Sequence, residues 1–441
     1  MGVFTAAHGI VDGAWLDAPW LAVNDDGTVV RTGAGTPPED AGLVRDLGPV
    51  ILLPGFINAH SHAFQRAIRG ATHRRGHADP SSFWSWREAM YGTANALTPE
   101  QVQAVSRQAF AEMLAAGITC VGEFHYLHHQ PDGQPYEDPN ELSRRVLAAA
   151  SEVGIRIVLL EVFYARAGAG KEPLPEQRRF CDRDVDAYLE RVDALRAEGL
   201  DVGITPHSIR AVSAEDLRRL AEYAGAHGLP IHTHLSEQPR ENEQCRAEHG
   251  KSPAQVFAEA GCCARPRSFT AVHAVHIDDD DRRILADQHV CACPTTEADL
   301  GDGIVGAAAL RSGGTRIALG SDSNAVIDLV QEARLLEMDE RLASQARLRL
   351  VNEEGRLWPT LLDAATTSGA SALGQGTQLG TLGPGRPFDA CTIGLDHPFL
   401  RGLSPPHAID ALFASGPAAP VSARPQTARC AVRACPASHT A

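Results

Sequence analysis

Residues 50–66 read VILLPGFINAHSHAFQR. The apolar run at 50–58 has the length of a strand and is apolar on both faces, the pattern of a strand buried in a parallel sheet. His60 and His62 follow it at once. Side chains two apart on a strand point the same way, so both imidazoles can enter one barrel mouth and reach one metal ion. Alone, the triplet is a weak signal, because two polar surface histidines are its commoner explanation.

Working outward, apolar runs recur at 119–124, 155–164, 202–205, 230–235, 269–276, 290–293 and 315–319. Helical patterns lie between them. One helix starts at Thr98, with Pro99 in its first position and Gln101 completing a capping box. It keeps one apolar face through Val102, Val105, Ala109 and Met113 and stops at Gly117. A later helix is capped by Ser213 and ended by Gly228. Eight short strands alternating with helices predict an α/β fold of the (β/α)8 barrel type. An open doubly wound sheet is the alternative, but no G-x-G-x-x-G or P-loop follows any strand. The flanks are turn-rich and strand-like, which predicts a small β-sandwich domain built from both chain ends. The expected boundaries are 1–54 and 378–441 for that domain and 55–377 for the barrel.

Of the 441 residues, 44% are hydrophobic and 22% charged, an ordinary globular balance. A formal charge of −15 excludes nucleic acid and anionic membrane as partners, since both demand a basic footprint. No apolar run reaches about 18 residues, and the N-terminus has no signal-peptide pattern, so a cytoplasmic protein is expected. Ten cysteines occur without any C-x-x-C pair, as expected of free thiols in a reducing compartment.

The candidate chemistry gathers at the predicted strand ends. HTHLSE (232–237) ends the fifth strand, His273 lies in the sixth, and GSDSN (320–324) ends the eighth. In this fold those C-terminal ends build the active site. Buried imidazoles and carboxylates are costly unless paired or metal-bound, so their convergence points to one divalent metal, Zn²⁺ or else Fe²⁺. A two-metal site would want a bridging modified lysine at the fourth-strand end. Lysine occurs only at 171 and 251, and neither lies on a predicted strand.

PGFINAHSHAFQRAIRG, HTHLSE, AVHAVH and GSDSN resemble the amidohydrolase superfamily, in its mononuclear aminohydrolase branch, over roughly residues 45–400. HSHAFQRA, FWSWREAMY, EFHYLHH, QRRF, HSIRAVS, HLSEQPRE and CPTTEADLGDG further resemble the formimidoylglutamate deiminase family within that branch. This implies metal ligation by His60, His62, His234 and Asp322, with His234 preferred to His232 because the family spaces its ligand three before the catalytic glutamate. It implies catalytic roles for Glu237, His273 and Asp322. It also implies contacts to a small dicarboxylate substrate from Gln65, Arg87, Tyr126, His207 and Arg210, and a homodimer. The tail at 420–441 departs from the family's closing pattern and places the small domain's last strand in doubt.

Two rivals stand beside this expectation: an aminohydrolase of a purine, pterin or similar ring, and a non-catalytic barrel serving as a scaffold. His125, His128 and His129 read as loop-packing or supporting groups, and Trp84 and Trp86 as lip packing. The acidic run at 278–281 reads as a solvated helix start.

Overall fold

The computed structural model describes residues 2–73, 83–416 and 421–423. Its central element is a parallel sheet of eight strands in sequential order. They are β1 (Phe56–Ser61), β2 (Ile118–His125), β3 (Arg156–Phe163), β4 (Val202–Pro206), β5 (Ile231–Leu235), β6 (Phe269–His273), β7 (His289–Ala292) and β8 (Arg316–Leu319). The backbone closes the sheet into a (β/α)8 barrel, because His62 N donates to Asp322 O at 2.9 Å and Asp322 N to His60 O at 3.1 Å. Gly320 permits that approach: a Cβ there would lie 2.8 Å from the His60 Cβ and 2.9 Å from the Cys293 sulfur.

The run at 50–58 is not one strand, which corrects the expectation. Val50–Pro54 pairs with Ala390–Gly394 and His8–Val11 in a different sheet, and only from Phe56 does the chain join the barrel. The break falls at Gly55, where any Cβ would collide with the Thr119 side chain at 2.1 Å. An apolar run shows burial but not the sheet in which burial occurs.

Val50–Pro54 thus belongs to a five-stranded sheet ordered Val421–Ala423, Ala390–Gly394, Val50–Pro54, His8–Val11, Ala14–Asp17. A four-stranded sheet of Val29–Ala34, Pro19–Val23, Gly2–Thr5 and Leu43–Asp46 packs on it. Phe4, Leu21, Val23 and Val29 of one sheet share a core with Val11, Leu52 and Ala390 of the other. The doubtful last strand is present as Val421–Ala423, antiparallel to Ala390–Gly394. The remaining tail, 424–441, lies outside the described residues.

The helix shell follows the sequence signals closely. Thr98 and Gln101 form the capping box of helix Pro99–Ala115, which buries Val102, Ala109, Phe110 and Met113. Ser213 caps helix Ala214–His227, and Gly228 ends it in the left-handed conformation. The acidic run needs correction. Asp278 caps its helix, but Asp281 is fully buried and accepts a hydrogen bond from Ser252 Oγ. The sixth strand also stops at His273, three residues early, because His273 and Ala274 turn to φ 71° and 52°. No helix among the described residues is long and apolar enough to cross a membrane.

Candidate metal and substrate site

β1 with the residue that follows it, β5 and the segment after β8 deliver four side chains to one point. The Nε2 atoms of His60, His62 and His234 lie 3.2–3.3 Å from one another, and Asp322 Oδ1 lies 3.3 and 3.2 Å from those of His60 and His62. His62 Nδ1 donates to the Phe124 carbonyl at 2.9 Å, which aims its Nε2 at the other imidazoles. Three imidazole nitrogens at mutual contact cannot all be satisfied by the protons they carry. Burial pushes His60 down to about 3, so its ring adds no charge. A tetrahedral ion with bonds of about 2.0–2.1 Å spaces its ligands by ~3.3 Å, the spacing seen here. The donor set fits one divalent cation.

His232 does not join them. Its Nε2 lies 2.8 Å from the Ala372 carbonyl, deeper in the barrel. Geometry therefore makes the same choice between the two histidines as the family spacing.

His273 and Glu237 stand beside the cluster. His273 Nε2 is 3.7 Å from Asp322 Oδ2 and 3.8 Å from Glu237 Oε1, while its Nδ1 is 3.2 Å from Glu297 Oε1. Burial would lower the His273 pKa, but the Glu237 charge and the Glu297 hydrogen bond overcome it and raise it well above the ordinary value. For Asp322, burial is outweighed by its close contacts with the His60 and His62 rings, which hold its carboxyl well below the ordinary range. Ser236, His273, Asp322 and Asn324 all have φ between 43° and 71°. Such strained backbone persists only where the surroundings impose it, and it gathers here at the strand ends.

A cavity opens above the cluster. Gln65, Arg87, Tyr126, His207 and Arg210 all line it together with His62, His234, Glu237, His273 and Asp322. Gln65 Nε2 bonds Tyr126 Oη at 2.7 Å, which leaves one end of its buried amide to meet a ligand. Arg87 Nε donates to Tyr91 Oη at 2.8 Å. Arg210 Nε lies 3.6 Å from Glu241 Oε2, and Arg210 NH2 lies 4.0 Å from Glu237 Oε2. Burial, chiefly, keeps His207 well below its ordinary pKa and so neutral.

Sequence reasoning missed Tyr91, Tyr164, Gln177, Glu241 and Glu297. Tyr91 follows Arg87 by four on helix Phe83–Ala96, a spacing that brings side chains together, and Glu241 lies in the first turn of helix Pro239–His249, just after Glu237. Gln177 and Glu297 stand inside QRRF and CPTTEADLGDG, strings noted for resemblance alone. Trp86, expected at the lip, lines the cavity. The side chain of Trp84 lies outside the described residues. His125, His128 and His129 are buried away from the metal cluster, and His128 lies 3.3 Å from Glu161.

The sequence profile of the amidohydrolase family matches residues 51–422. Formimidoylglutamate deiminase of Pseudomonas aeruginosa is 38% identical over 408 residues, covering 91% of this chain and 88% of that one. The 8-oxoguanine deaminase of the same organism is 28% identical, covering 89% and 85%. An amidohydrolase structure from Brucella melitensis superposes with a TM-score of 0.85 at 32% identity, covering 94% and 91%. A zinc-bound adenosine deaminase structure from Xanthomonas campestris shares the fold, with a TM-score of 0.77 at 22% identity, covering 93% and 88%.

Proposed function

The chain belongs to the amidohydrolase family and is a hydrolase of C–N bonds, and from that premise we propose that it hydrolyses N-formimidoyl-L-glutamate to N-formyl-L-glutamate and ammonia. The observation that carries this reading is the pair of arginines, Arg87 and Arg210, in the same cavity as the metal cluster. The chain carries a net charge of −15, so two guanidinium groups in one cavity mark a local demand for anions, which Glu237 and Glu241 meet in part at Arg210. A substrate with two carboxylates meets that demand, since guanidinium pairs bidentately with each.

His60, His62, His234 and Asp322 would hold the cation, and Zn²⁺ suits a His₃Asp set. When bound, such an ion supplies an acidified water as nucleophile at neutral pH. Asp322 divides its oxygens: Oδ1 faces His60 and His62, and Oδ2 faces His273 and is placed to take the water's proton. Glu297 holds His273 from behind and so fixes where its Nε2 points. Attack falls on the formimino carbon, which the amidinium charge already makes electrophilic. Glu237 then carries a proton to the departing nitrogen, so the C–N bond breaks with ammonia leaving rather than an amide anion. Water supplies the formyl oxygen, and no redox partner is needed.

A second reading has its own support. Trp86, Tyr91, Tyr126, Tyr164 and Phe180 line the cavity and would suit a flat ring such as a purine. Ammonia release from N-formimidoyl-L-glutamate, 8-oxoguanine and 5-methylthioadenosine by the zinc-loaded enzyme separates the two. The proposal expects release from the first alone. Release from either purine, with the first untouched, moves the assignment to ring deamination and leaves the barrel chemistry standing.

A further inference from the structure

We propose that Tyr91, Tyr164 and Gln177 form the uncharged half of the subsite that takes one carboxylate beside Arg87, and that they set its preference for carboxylate over amide. This rests on the dicarboxylate reading above.

Gln177 is fully buried, in the short helix Pro175–Phe180 after β3. Its Oε1 accepts from Leu174 N at 2.9 Å, which fixes the amide, because a flipped amide would set N–H against N–H. The NH₂ group therefore faces the tyrosines and donates to Tyr164 Oη at 2.8 Å and Tyr91 Oη at 3.1 Å. Tyr91 Oη also accepts from Arg87 Nε, so its lone pairs are both taken. Both hydroxyls accept from Gln177 and keep their own protons for another acceptor, and both tyrosines border the cavity with Arg87.

Burial also raises the Tyr164 phenol well above its ordinary value, so it stays protonated and a donor. The wall thus offers two hydroxyl donors beside Arg87, and the Tyr91 oxygen is closed to any further donor. A carboxylate meets them with two acceptors. A carboxamide must turn its own NH₂ toward a donor, and a polar pair so mismatched in a buried site is heavily disfavoured.

The test is calorimetric titration of the zinc-loaded, full-length enzyme with glutarate and with its mono-amide, glutaramate. Wild type is expected to prefer glutarate about 100-fold. Tyr91→Phe with Tyr164→Phe should weaken glutarate about 10- to 100-fold, the size of a hydrogen bond to a charged group, and glutaramate less than about threefold. Gln177→Glu is the sharper variant. It keeps the Leu174 contact but accepts the hydroxyl protons, turning the wall's donors inward, so the glutarate preference should collapse with both tyrosines in place. Loss of the preference in both variants supports the assignment. A preference unchanged in both, or absent from wild type, overturns it. Turnover of N-formimidoyl-L-glutamate by wild type is scored separately: its absence sinks the substrate reading, whereas the binding ratio judges the tyrosine pair.

Discussion

His60, His62, His234 and Asp322 at the barrel mouth, and His128, His129, Glu161, Asp182 and Arg191 behind β3, are alike in composition and burial. They differ in where the positive charge comes from. Behind β3, Arg191 bonds Glu161 through NH1 and Asp182 through Nε and NH2 at 2.9 and 2.8 Å. His128 Nε2 lies 2.8 Å from the Val162 carbonyl, and His129 Nε2 lies 3.6 Å from Asp182. Burial alone would raise the Asp182 carboxyl, but the Arg191 charge overcomes this and holds it far below the ordinary range. At the barrel mouth no arginine stands among the four groups, and three imidazole nitrogens point at one another. A buried charge cluster that supplies its own cation is structural, and one that lacks it is built to receive one.

The sharpest way to break this contrast is to remove a ligand. Asp322→Ala should lower turnover by about 10³-fold or more and reduce bound zinc below one per chain, read by elemental analysis beside ammonia release. Glu237→Gln should cost about 10²–10⁴ in kcat while zinc stays at one per chain, because it moves a proton and holds no metal. Arg191→Met should do the reverse. Leaving Glu161 and Asp182 buried without their cation costs about 3–5 kcal/mol in denaturant unfolding, with zinc content and KM unchanged. A loss of zinc in that variant would erase the distinction between the clusters. Arg87→Met should raise KM about 10- to 100-fold with a smaller change in kcat, as expected for lost carboxylate binding. Thr98→Ala, at the capping box remote from both clusters, should cost about 1 kcal/mol of stability and nothing in activity.

The metal end of the site was legible because each part is local. His60-x-His62 works by strand alternation, and HTHLSE and GSDSN sit where strands must end. The far end was legible only through resemblance, and incompletely. Tyr164 and Gln177 are thirteen residues apart and meet Tyr91 from across the barrel mouth, so no spacing announces the contact. Asp281 looked solvated because its neighbours Asp278, Asp279 and Asp280 are, and its partner Ser252 is 29 residues away. The run at 50–58 hid a sheet change at Gly55, since apolar side chains are equally at home on either side of the break.

The most direct test of the account compares kcat/KM for N-formimidoyl-L-glutamate with that for its dimethyl ester, using the zinc-loaded enzyme. Both carry the same formimino group to the same cluster, and only the charges facing Arg87 and Arg210 differ. The account predicts a preference of about 10²–10⁴-fold for the free dicarboxylate, from two charge-assisted pairs of roughly 1.5–3 kcal/mol each. Equal turnover of the ester would contradict it, for the arginines would then have no part in choosing the substrate.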